Sequence, residues 1–245
     1  MDPQLYPRMA AVEDTHWWFV SRRAICERMI ERLNLPRGAA ILEPGCGTGG
    51  NFAMLARRGK LYAMDSDETA LRFAASRGTA ELARGHLPDQ IPFDDVLFDL
   101  VVMTDVLEHL DDEAGSLRAV RARLKPGGWL LLTVPALQWL WSEHDVTHHH
   151  RRRYRASELR ARVTDGGFMV DYMSYFNFIL FPVIAGVRML QRIASSNNGR
   201  DGQHDLKLPS PIVNAILARV FSSERYVIPA VRMPVGVSLL LLARA

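Results

Sequence analysis

A short stretch of the sequence collects acidic and imidazole side chains that are typical of catalytic or metal-binding sites. Asp105, Glu108 and His109 follow an apolar run at residues 98–103, and His144 lies farther along the chain. If the segment after the run turns helically, the first three share one face, because residues three and four apart are neighbours on a helix. Two carboxylates and two imidazoles form a mixed ligand set that can hold a divalent metal, Mg²⁺ or Zn²⁺.

The same residues allow more than one chemistry. A bound metal would bind a substrate hydroxyl and lower its pKa, which prepares the oxygen for attack. Without a metal, His109 or His144 would act as the general base beside Glu108, since imidazole titrates near neutral pH. In a third interpretation Glu108 and His109 only order the loop, and the sequence leaves these alternatives open.

A basic run follows this group. It consists of His148, His149, His150, Arg151, Arg152 and Arg153. The histidines are either further metal ligands or part of a solvated loop. The arginines can hold an anionic substrate or face anionic lipid headgroups, and a charged surface segment is the competing interpretation.

A glycine-rich loop forms the second candidate site. Gly45, Gly47 and Gly49 follow a predicted strand at residues 39–42 and precede a predicted helix. Glycines there allow a sharp turn and a close approach of the backbone to a ligand. The next predicted strand ends in Asp65, an acid placed to accept hydrogen bonds from ribose hydroxyls.

Glu43 distinguishes between two cofactor classes. A carboxylate directly before the glycines would repel the pyrophosphate of a dinucleotide, but it suits the ammonium and sulfonium charges of S-adenosylmethionine. The glycine spacing also departs from the GxGxxG pattern on which a dinucleotide pyrophosphate sits. The residues therefore favour S-adenosylmethionine over NAD.

The ordered motifs resemble those of the class I S-adenosylmethionine-dependent methyltransferases. Residues 43–49 resemble their first motif, 85–93 their adenine-flanking segment, 98–110 their fourth-strand motif and 124–128 the segment before their fifth strand. The resemblance covers about residues 39–135. It implies a cofactor site lined by Glu43, Gly45, Cys46, Gly47, Asp65, Ser66, Leu87 and Thr104.

The N-terminal segment is similar to the lid helix of the branch that includes the quinone-biosynthesis O-methyltransferases. The likeness lies in residues 16–19 together with Arg22. It implies that Trp18 and Arg22 reach the cofactor, with the arginine pairing bidentately with the methionine carboxylate. A compatible interpretation is that Trp17 and Trp18 only pack the lid on the sheet.

The metal-dependent ubiquinone-pathway O-methyltransferases carry an acid, a Glu-His pair and a downstream His-Asp pair. Asp105, Glu108 with His109, and His144 with Asp145 match these positions. The resemblance therefore implies the same metal set that the residue types suggest. Asp105 is an aspartate where the relatives carry the longer glutamate.

The elements that position these residues are predicted from hydrophobic patterning. Apolar segments separated by single helices indicate βαβ units and a parallel sheet. The predicted fold is α/β: a Rossmann-like, seven-stranded, mostly parallel sheet with helices on both faces, an N-terminal lid helix capped by Thr15, and a helical insertion before the last strand. Residues 1–37 are assigned to the lid, 38–176 and 229–245 to the core, and 177–228 to the insertion.

The insertion is strongly apolar. Residues 175–190 are too few and too interrupted for a spanning helix, and residues 209–221 have their apolar side chains on one helical face. Between them lies a polar linker at residues 195–203. Three interpretations stay open: a lid over a hydrophobic substrate, an interfacial segment that dips into a bilayer, or a dimer interface.

Composition argues against several other classes. A formal net charge of +3 over 245 residues is a mild basic bias that does not indicate nucleic-acid binding. Cys26 and Cys46 lack CxxC spacing, so neither a thiolate zinc site nor a disulfide framework is expected. Residues 1–13 are polar, which predicts no signal peptide and a cytoplasmic protein, either free or peripheral on the inner face of the membrane.

Together these observations predict an S-adenosylmethionine-dependent O-methyltransferase. The expected acceptor is hydrophobic or membrane-associated, either a prenylated phenol or quinol or a lipid-linked glycan precursor. One alternative is an N- or O-methyltransferase of a soluble sugar or small metabolite, with the insertion forming a homodimer surface. The other alternative is a non-catalytic cofactor-binding scaffold.

Overall fold

The computed structural model describes residues 5–194 and 208–245 of the chain. The linker predicted at residues 195–203 lies outside the described residues. The strands are β1 (Ala39–Pro44), β2 (Gly59–Asp65), β3 (Glu81–Arg84), β4 (Phe98–Thr104), β5 (Leu124–Pro135), β6 (Met169–Phe176) and β7 (Ser238–Arg244). The α-helices are α1 (Leu5–Val12), α2 (Trp17–Ile30), α3 (Phe52–Ala56), α4 (Glu68–Ala75), α5 (Glu113–Ala122), α6 (Glu143–Thr147), α7 (Ala156–Asp165), α8 (Phe181–Ala194) and α9 (Pro211–Ser222).

The strands form one seven-stranded sheet in the order β3–β2–β1–β4–β5–β7–β6. Strands β1 to β5 pair in parallel, and β7 runs antiparallel to both β5 and β6. The single reversed strand makes the sheet mixed but mostly parallel. The predicted Rossmann-like fold, with its lid helix and its helical insertion before the last strand, is confirmed.

Two apolar cores lie on opposite faces of the sheet. Along β4, Leu100 and Val102 face the core that α2 and α3 cover, while Val101 and Met103 face the core of α5 and α7. Successive side chains of a strand point to opposite faces, so a strand covered on both sides must be apolar at every position. This requirement explains why the central strands appear in the sequence as continuous apolar runs.

The start of the lid helix differs from the prediction that Thr15 caps it. His16 is the capping residue, and its Nδ1 accepts a hydrogen bond from the backbone of Trp18 at 3.2 Å. The Thr15 hydroxyl instead donates to the carbonyl of Val12 at 3.3 Å, because α1 ends there and the chain turns sharply before α2 begins.

The insertion contributes α8 and α9 between β6 and β7. Helix α9 packs on the lid helix α2, where Asn214 accepts a hydrogen bond from the backbone of Trp17 at 2.9 Å and the Ser21 hydroxyl donates to the carbonyl of Ala218 at 3.1 Å. Phe221 adds ring contacts to Trp17 and Trp18. The helices of the described ranges include none that combines the length and apolar character needed to cross a bilayer.

Candidate active site

A cavity of about 1710 Å³ opens at the carboxyl ends of β1, β2 and β4. Ligands of open α/β sheets bind at this edge. Helices α1, α2 and α8 also contribute side chains to its walls. Every predicted site residue lines it: Trp18, Arg22, Glu43, Gly45, Cys46, Gly47, Asp65, Ser66, Leu87, Thr104, Asp105, Glu108, His109 and His144.

The glycine loop wraps closely around the ends of two strands. Gly45 has φ +70°, and a Cβ there would lie 2.9 Å from a methyl carbon of Val106, so both conformation and space require glycine. The backbone amides of Gly45 and Cys46 donate to the carbonyl of Met64 at 2.8 and 3.0 Å. The loop is thereby fixed beside the end of β2.

Asp65 stands at that strand end and holds the loop through its carboxylate. Its Oδ2 accepts from the amide of Gly47 at 2.9 Å, and its Oδ1 accepts from the amide of Asp67 at 3.0 Å. Burial raises the pKa of Asp65 above its ordinary value, although these hydrogen bonds oppose the shift. The carboxylate is therefore oriented before any ligand arrives.

Glu43 is a buried carboxylate at the end of β1. Its Oε1 accepts a hydrogen bond from Nδ2 of Asn51 at 2.6 Å, and Asn51 also donates to the hydroxyl of Thr104 at 3.0 Å. Among the described residues, Oε2 of Glu43 has no hydrogen-bond partner. Burial raises the pKa of Glu43 to about 7.

Arg22 of the lid helix forms an ion pair with Asp105 just after β4. The Asp105 backbone is left-handed, with φ +57°, and its Oδ1 accepts from the hydroxyl of Thr133 at 3.2 Å. Within the described ranges, the buried Nε of Arg22 has no hydrogen-bond partner. Asp105, predicted as a metal ligand, is thus engaged by an arginine.

The cluster of possible metal ligands differs in part from the predicted set. It consists of Glu108, His109 and His150, each with one ligand atom within 4.8 Å of the others. Asp105 forms its ion pair with Arg22, and the ring of His144 lies 4.2 Å from the ring of His148 between centroids. The structure brings Glu108 and His109 together as expected, and His150 is the residue that joins them.

Glu108 and His109 lie on a short 3-10 turn, Leu107–His109. Glu108 is fully buried, and neither carboxylate oxygen accepts a hydrogen bond from another described residue. Burial, followed by the charge of Asp105, raises the pKa of Glu108 well above its usual range. Burial, followed by the charge of His150, lowers the pKa of His109 to about 4, so this imidazole is neutral at pH 7.

The ring of His150 contacts the buried ion pair between Asp145 and Arg153. Its Nδ1 lies 2.8 Å from Oδ1 of Asp145, which also receives Nε of Arg153 at 2.8 Å, while Nη2 of Arg153 reaches Oδ2 at 3.0 Å. Although burial opposes it, the hydrogen bond from His150 and the charge of Arg153 hold the pKa of Asp145 below its usual range. Sequence reasoning did not single out this arrangement.

The arginines of the basic run pair with carboxylates of the same chain. Arg151 lies 2.5 Å from Asp111, and Arg152 forms an ion pair with the buried Glu113. These two pairs connect the loop after β5 to the segment after β4, whereas the Arg153 pair lies within the segment after β5. The three arginines therefore have partners on the same chain, and Arg151 with Asp111 is the exposed pair among them.

The wall that α8 contributes to the cavity is largely apolar, with Arg188 as its charged residue. Side chains from α8 and the segment before it form much of this wall: Leu180, Val183, Ile184, Val187 and Leu190. Leu217 of α9 lines the same cavity. A pocket for one small ligand occupies roughly 300–1,000 Å³, so the cavity has room for a second molecule beside a cofactor.

Two further residues of the cavity wall, one of them bonded to the glycine loop, have contacts that the sequence did not indicate. Glu13, between α1 and α2, accepts hydrogen bonds from Thr48 and Arg77, both at 2.6 Å. Tyr6 of α1 also lines the cavity, and burial raises the pKa of its hydroxyl. Helix α1, which lies within the residues assigned to the lid, therefore contributes to the cavity, although no motif singled out Tyr6 or Glu13.

Comparisons with known proteins agree with this geometry. Residues 16–172 match a family model described as a methyltransferase domain. A probable S-adenosylmethionine-dependent methyltransferase of Mycobacterium tuberculosis is 30% identical over 160 residues, which cover 63% of this chain and 56% of the relative. The chain thus spans just over half the length of that relative. A ubiquinone biosynthesis O-methyltransferase of Idiomarina loihiensis is 29% identical over 65% of this chain and 72% of its own length.

Solved structures support the fold. An S-adenosylmethionine-dependent methyltransferase from Mesorhizobium loti superposes with a TM-score of 0.54 at 17% identity, covering 89% of this chain and 96% of that one. A chain from the complex between the Haloferax volcanii Trm112 methyltransferase activator and a methyltransferase gives a TM-score of 0.62 at 18% identity, covering 98% of this chain and 97% of that one. The chain therefore belongs to the methyltransferase domain family, within the class I S-adenosylmethionine-dependent methyltransferases that its motifs resemble.

Proposed function

We propose that the protein transfers the methyl group of S-adenosylmethionine to a hydroxyl oxygen of a hydrophobic acceptor. One observation carries the proposal: the cavity joins a polar end at the glycine loop to an apolar end at α8, with Glu108 and His109 also in its wall. A polar cofactor and an apolar acceptor would meet at those two residues. The likeness to a ubiquinone biosynthesis O-methyltransferase supports the same acceptor class.

The polar end suits the charges of the cofactor's methionine group. Oε2 of Glu43 and Nε of Arg22 are buried, opposite in charge and without hydrogen-bond partners among the described residues. We assign the ammonium to Glu43 and the carboxylate to Arg22, because a buried polar group needs a partner. Asp65 would receive the ribose hydroxyls, with Ser66 and Leu87 beside the adenosine and Cys46, Gly47, Thr104 and Trp18 completing the walls.

Methyl transfer needs alignment and a group that takes a proton. The lone pair of the acceptor oxygen forms the new bond to the methyl carbon as the carbon–sulfur bond breaks, and the hydroxyl proton passes to a base. His109 is the first candidate for the base, because its imidazole is neutral and lines the cavity beside Glu108. His144, which lines the same cavity, is the second.

A divalent metal is a further candidate for activating the hydroxyl. The residues fit one, since Glu108 is a buried carboxylate whose oxygens lack donors among the described residues. Glu108 and His109 would hold the ion, while Asp105 stays with Arg22. A metal bound there would lower the pKa of the acceptor hydroxyl.

The insertion would bring the protein to its acceptor at a membrane surface. Val183, Val187 and Leu190, three and four residues apart on α8, are exposed and also line the apolar end of the cavity. The apolar patch and the apolar cavity are thus continuous. Helices α8 and α9 contain arginines and no acidic residue, which favours an anionic lipid surface over a neutral one.

The test is turnover of S-adenosylmethionine to S-adenosylhomocysteine with prenylated quinols, catechols, lipid-linked sugars and free sugars, each with and without chelator. We expect turnover with an acceptor that carries a hydrophobic chain, and weak or no turnover with its truncated analogue. Turnover with a free sugar alone would assign the protein to soluble metabolites. No turnover with any acceptor class, despite tight cofactor binding, would favour a non-catalytic scaffold.

A further inference from the structure

The position of His150 beside Glu108 and His109 leads to an inference about metal binding. The inference rests on the proposed hydroxyl methylation and extends it. We infer that Glu108, His109 and His150 form a two-histidine, one-carboxylate site for a transition-metal ion. We also infer that Asp145 and Arg153 orient His150 toward that site. The ligand set differs from the one that the sequence suggests, since His150 replaces both Asp105 and His144.

The three donors converge from two segments of the chain. Glu108 and His109 come from the turn after β4, while His150 comes from the loop that follows α6. One ligand atom of each lies within 4.8 Å of the others, and the two imidazole rings lie 4.8 Å apart between centroids. The backbone amide of Arg151 donates to the carbonyl of Glu108 at 3.0 Å, which fastens the two segments together.

Both imidazoles are oriented by partners on the protein. Nδ1 of His150 is hydrogen-bonded to Asp145, which leaves Nε2 as the nitrogen that can coordinate a metal ion. The backbone of His149 provides a hydrogen-bonding partner for the ring of His109. Histidine ligands of metals almost always donate their other ring N–H to a carboxylate or a backbone carbonyl, which fixes the tautomer.

Arg153 fixes the orientation of the Asp145 carboxylate that hydrogen-bonds to His150. The guanidinium holds both carboxylate oxygens of Asp145, and the two side chains are almost completely buried. The backbone amide of Ser142 also donates to Oδ2 of Asp145 at 2.8 Å. A carboxylate fixed in this way can set the plane of the His150 ring, so Asp145 and Arg153 are positioning residues.

The donor set indicates the class of ion. Two imidazole nitrogens and one carboxylate suit Zn²⁺, Fe²⁺, Co²⁺ or Mn²⁺, whereas Mg²⁺ prefers oxygen ligands and retains several waters. Three protein ligands also leave coordination positions for an acceptor oxygen, as catalytic sites require. A cation would in addition compensate the buried Glu108 carboxylate, whose oxygens lack donors among the described residues.

The test is metal binding by the full-length protein without a histidine tag. We expect one Co²⁺ ion per chain, detected by its visible d–d absorption, and Zn²⁺ binding measured by calorimetry. His150→Ala should weaken Zn²⁺ binding at least about tenfold. Asp145→Asn should weaken it about 10–100-fold, the usual effect of losing a partner that orients a ligand.

Two control variants distinguish this site from other histidines of the same loop. His149→Asn removes an exposed imidazole at a left-handed position that asparagine tolerates, and it should bind Zn²⁺ as the wild type does. His144→Ala should also keep the affinity. Loss of binding in His144→Ala with full binding in His150→Ala would overturn the inference in favour of the sequence-derived set.

Folding and function are separated by a second readout. Each variant is checked for S-adenosylmethionine affinity, and if Asp145→Asn fails to fold, His150→Ala alone decides. A wild-type protein that binds neither Co²⁺ nor Zn²⁺ overturns the inference, even if it methylates a hydroxyl. A protein that binds one ion through His150 but methylates no acceptor keeps the inference and defeats the proposed function.

Discussion

The guanidinium of Arg22 on the lid helix forms a buried ion pair with the carboxylate of Asp105 at the end of β4. The pair joins residues 83 positions apart and connects the lid to the strand edge where the cofactor is expected to bind. Because Nε of Arg22 lacks a partner among the described residues, the same guanidinium can hold Asp105 and a second carboxylate. The lid helix would therefore contact the methionine carboxylate of S-adenosylmethionine directly through Arg22.

We expect Arg22→Ala to weaken S-adenosylmethionine binding at least about tenfold, because a charge-assisted hydrogen bond is lost. The measurement is isothermal titration calorimetry. Arg28→Ala, on an exposed part of the same helix, is the matched control and should bind normally. Normal binding by Arg22→Ala would remove the arginine from the cofactor site, and Asp105→Asn tests whether Asp105 competes for the guanidinium.

Asp65→Ala should weaken cofactor binding even more strongly, since the carboxylate holds the amide of Gly47 and would, in the proposed site, also receive the ribose hydroxyls. The comparison with Asp65→Asn separates the two effects, because asparagine retains one acceptor oxygen. Calorimetry with S-adenosylmethionine and with free adenosine measures both. Equal affinity for adenosine in the wild type and Asp65→Ala would contradict a ribose contact.

The catalytic histidines can be told apart by kinetics. If His109 takes the proton or binds the metal, His109→Ala should lower kcat about 10²–10⁴-fold while S-adenosylmethionine affinity stays unchanged. His144→Ala should retain most of the turnover, since its ring lies against His148 and outside the ligand cluster. The reverse pattern would transfer the base role to His144.

The parts of the site that the sequence predicted are local in the chain. Gly47 and Asp65 are only 18 positions apart, and a single strand–helix–strand unit brings the glycine loop and Asp65 to one edge of the sheet. The contacts of Asp105 and His150 depend instead on how distant segments turn. Asp105 meets an arginine from the lid, and His150 folds back because Ser142 and Asp145 form a capping box that begins α6.

The basic run illustrates the same limit. Three consecutive arginines look the same in the sequence whether they face solvent or form ion pairs within the chain. Only the positions of their acidic partners in the fold distinguish the two cases. Asp111, Glu113 and Asp145 come from two different segments. The predicted cap at Thr15 differed for a smaller reason, since Thr15 and His16 are adjacent and both can accept a hydrogen bond.

Glu224 should make stability depend on pH. It is fully buried, accepts backbone hydrogen bonds from Asn177 at 2.6 Å and Ile179 at 3.0 Å, and burial raises its pKa from 4.5 to about 7. A raised folded-state pKa means that stability is fully present below the unfolded pKa and is lost as the pH rises through about 7. The loss between pH 4.5 and about 7 amounts to at most about 3.4 kcal/mol, at 1.36 kcal/mol per unit.

The measurement is urea unfolding of the wild type and Glu224→Gln at several values between pH 5 and 8. The free energy of unfolding of the wild type, relative to the variant, should fall across this range. Glu43 and Glu108, whose pKa values are also raised, are present in both proteins and cancel in the difference. A difference that stays constant with pH would refute the role of Glu224.

The exposed face of α9 gives a direct test of membrane contact. Ile212 and Ile216 are 74% and 54% exposed, lie one helical turn apart, and point away from the contacts with the lid helix. Replacing both with glutamate should strongly reduce co-sedimentation with phosphatidylglycerol vesicles, because two charges would enter the bilayer interface. Leu97→Glu, at an exposed apolar position before β4, is the matched control.

Size-exclusion chromatography of the same variants separates lipid binding from self-association, since both would bury the same side chains. The α9 face would be assigned to contact with a second copy of the chain by three results together. The wild type would elute as a dimer, it would not bind vesicles, and the Ile212→Glu, Ile216→Glu double variant would be monomeric. Vesicle binding that disappears in the double variant and weakens with added salt would instead support the lipid surface, because screening acts on the attraction between arginines and anionic headgroups.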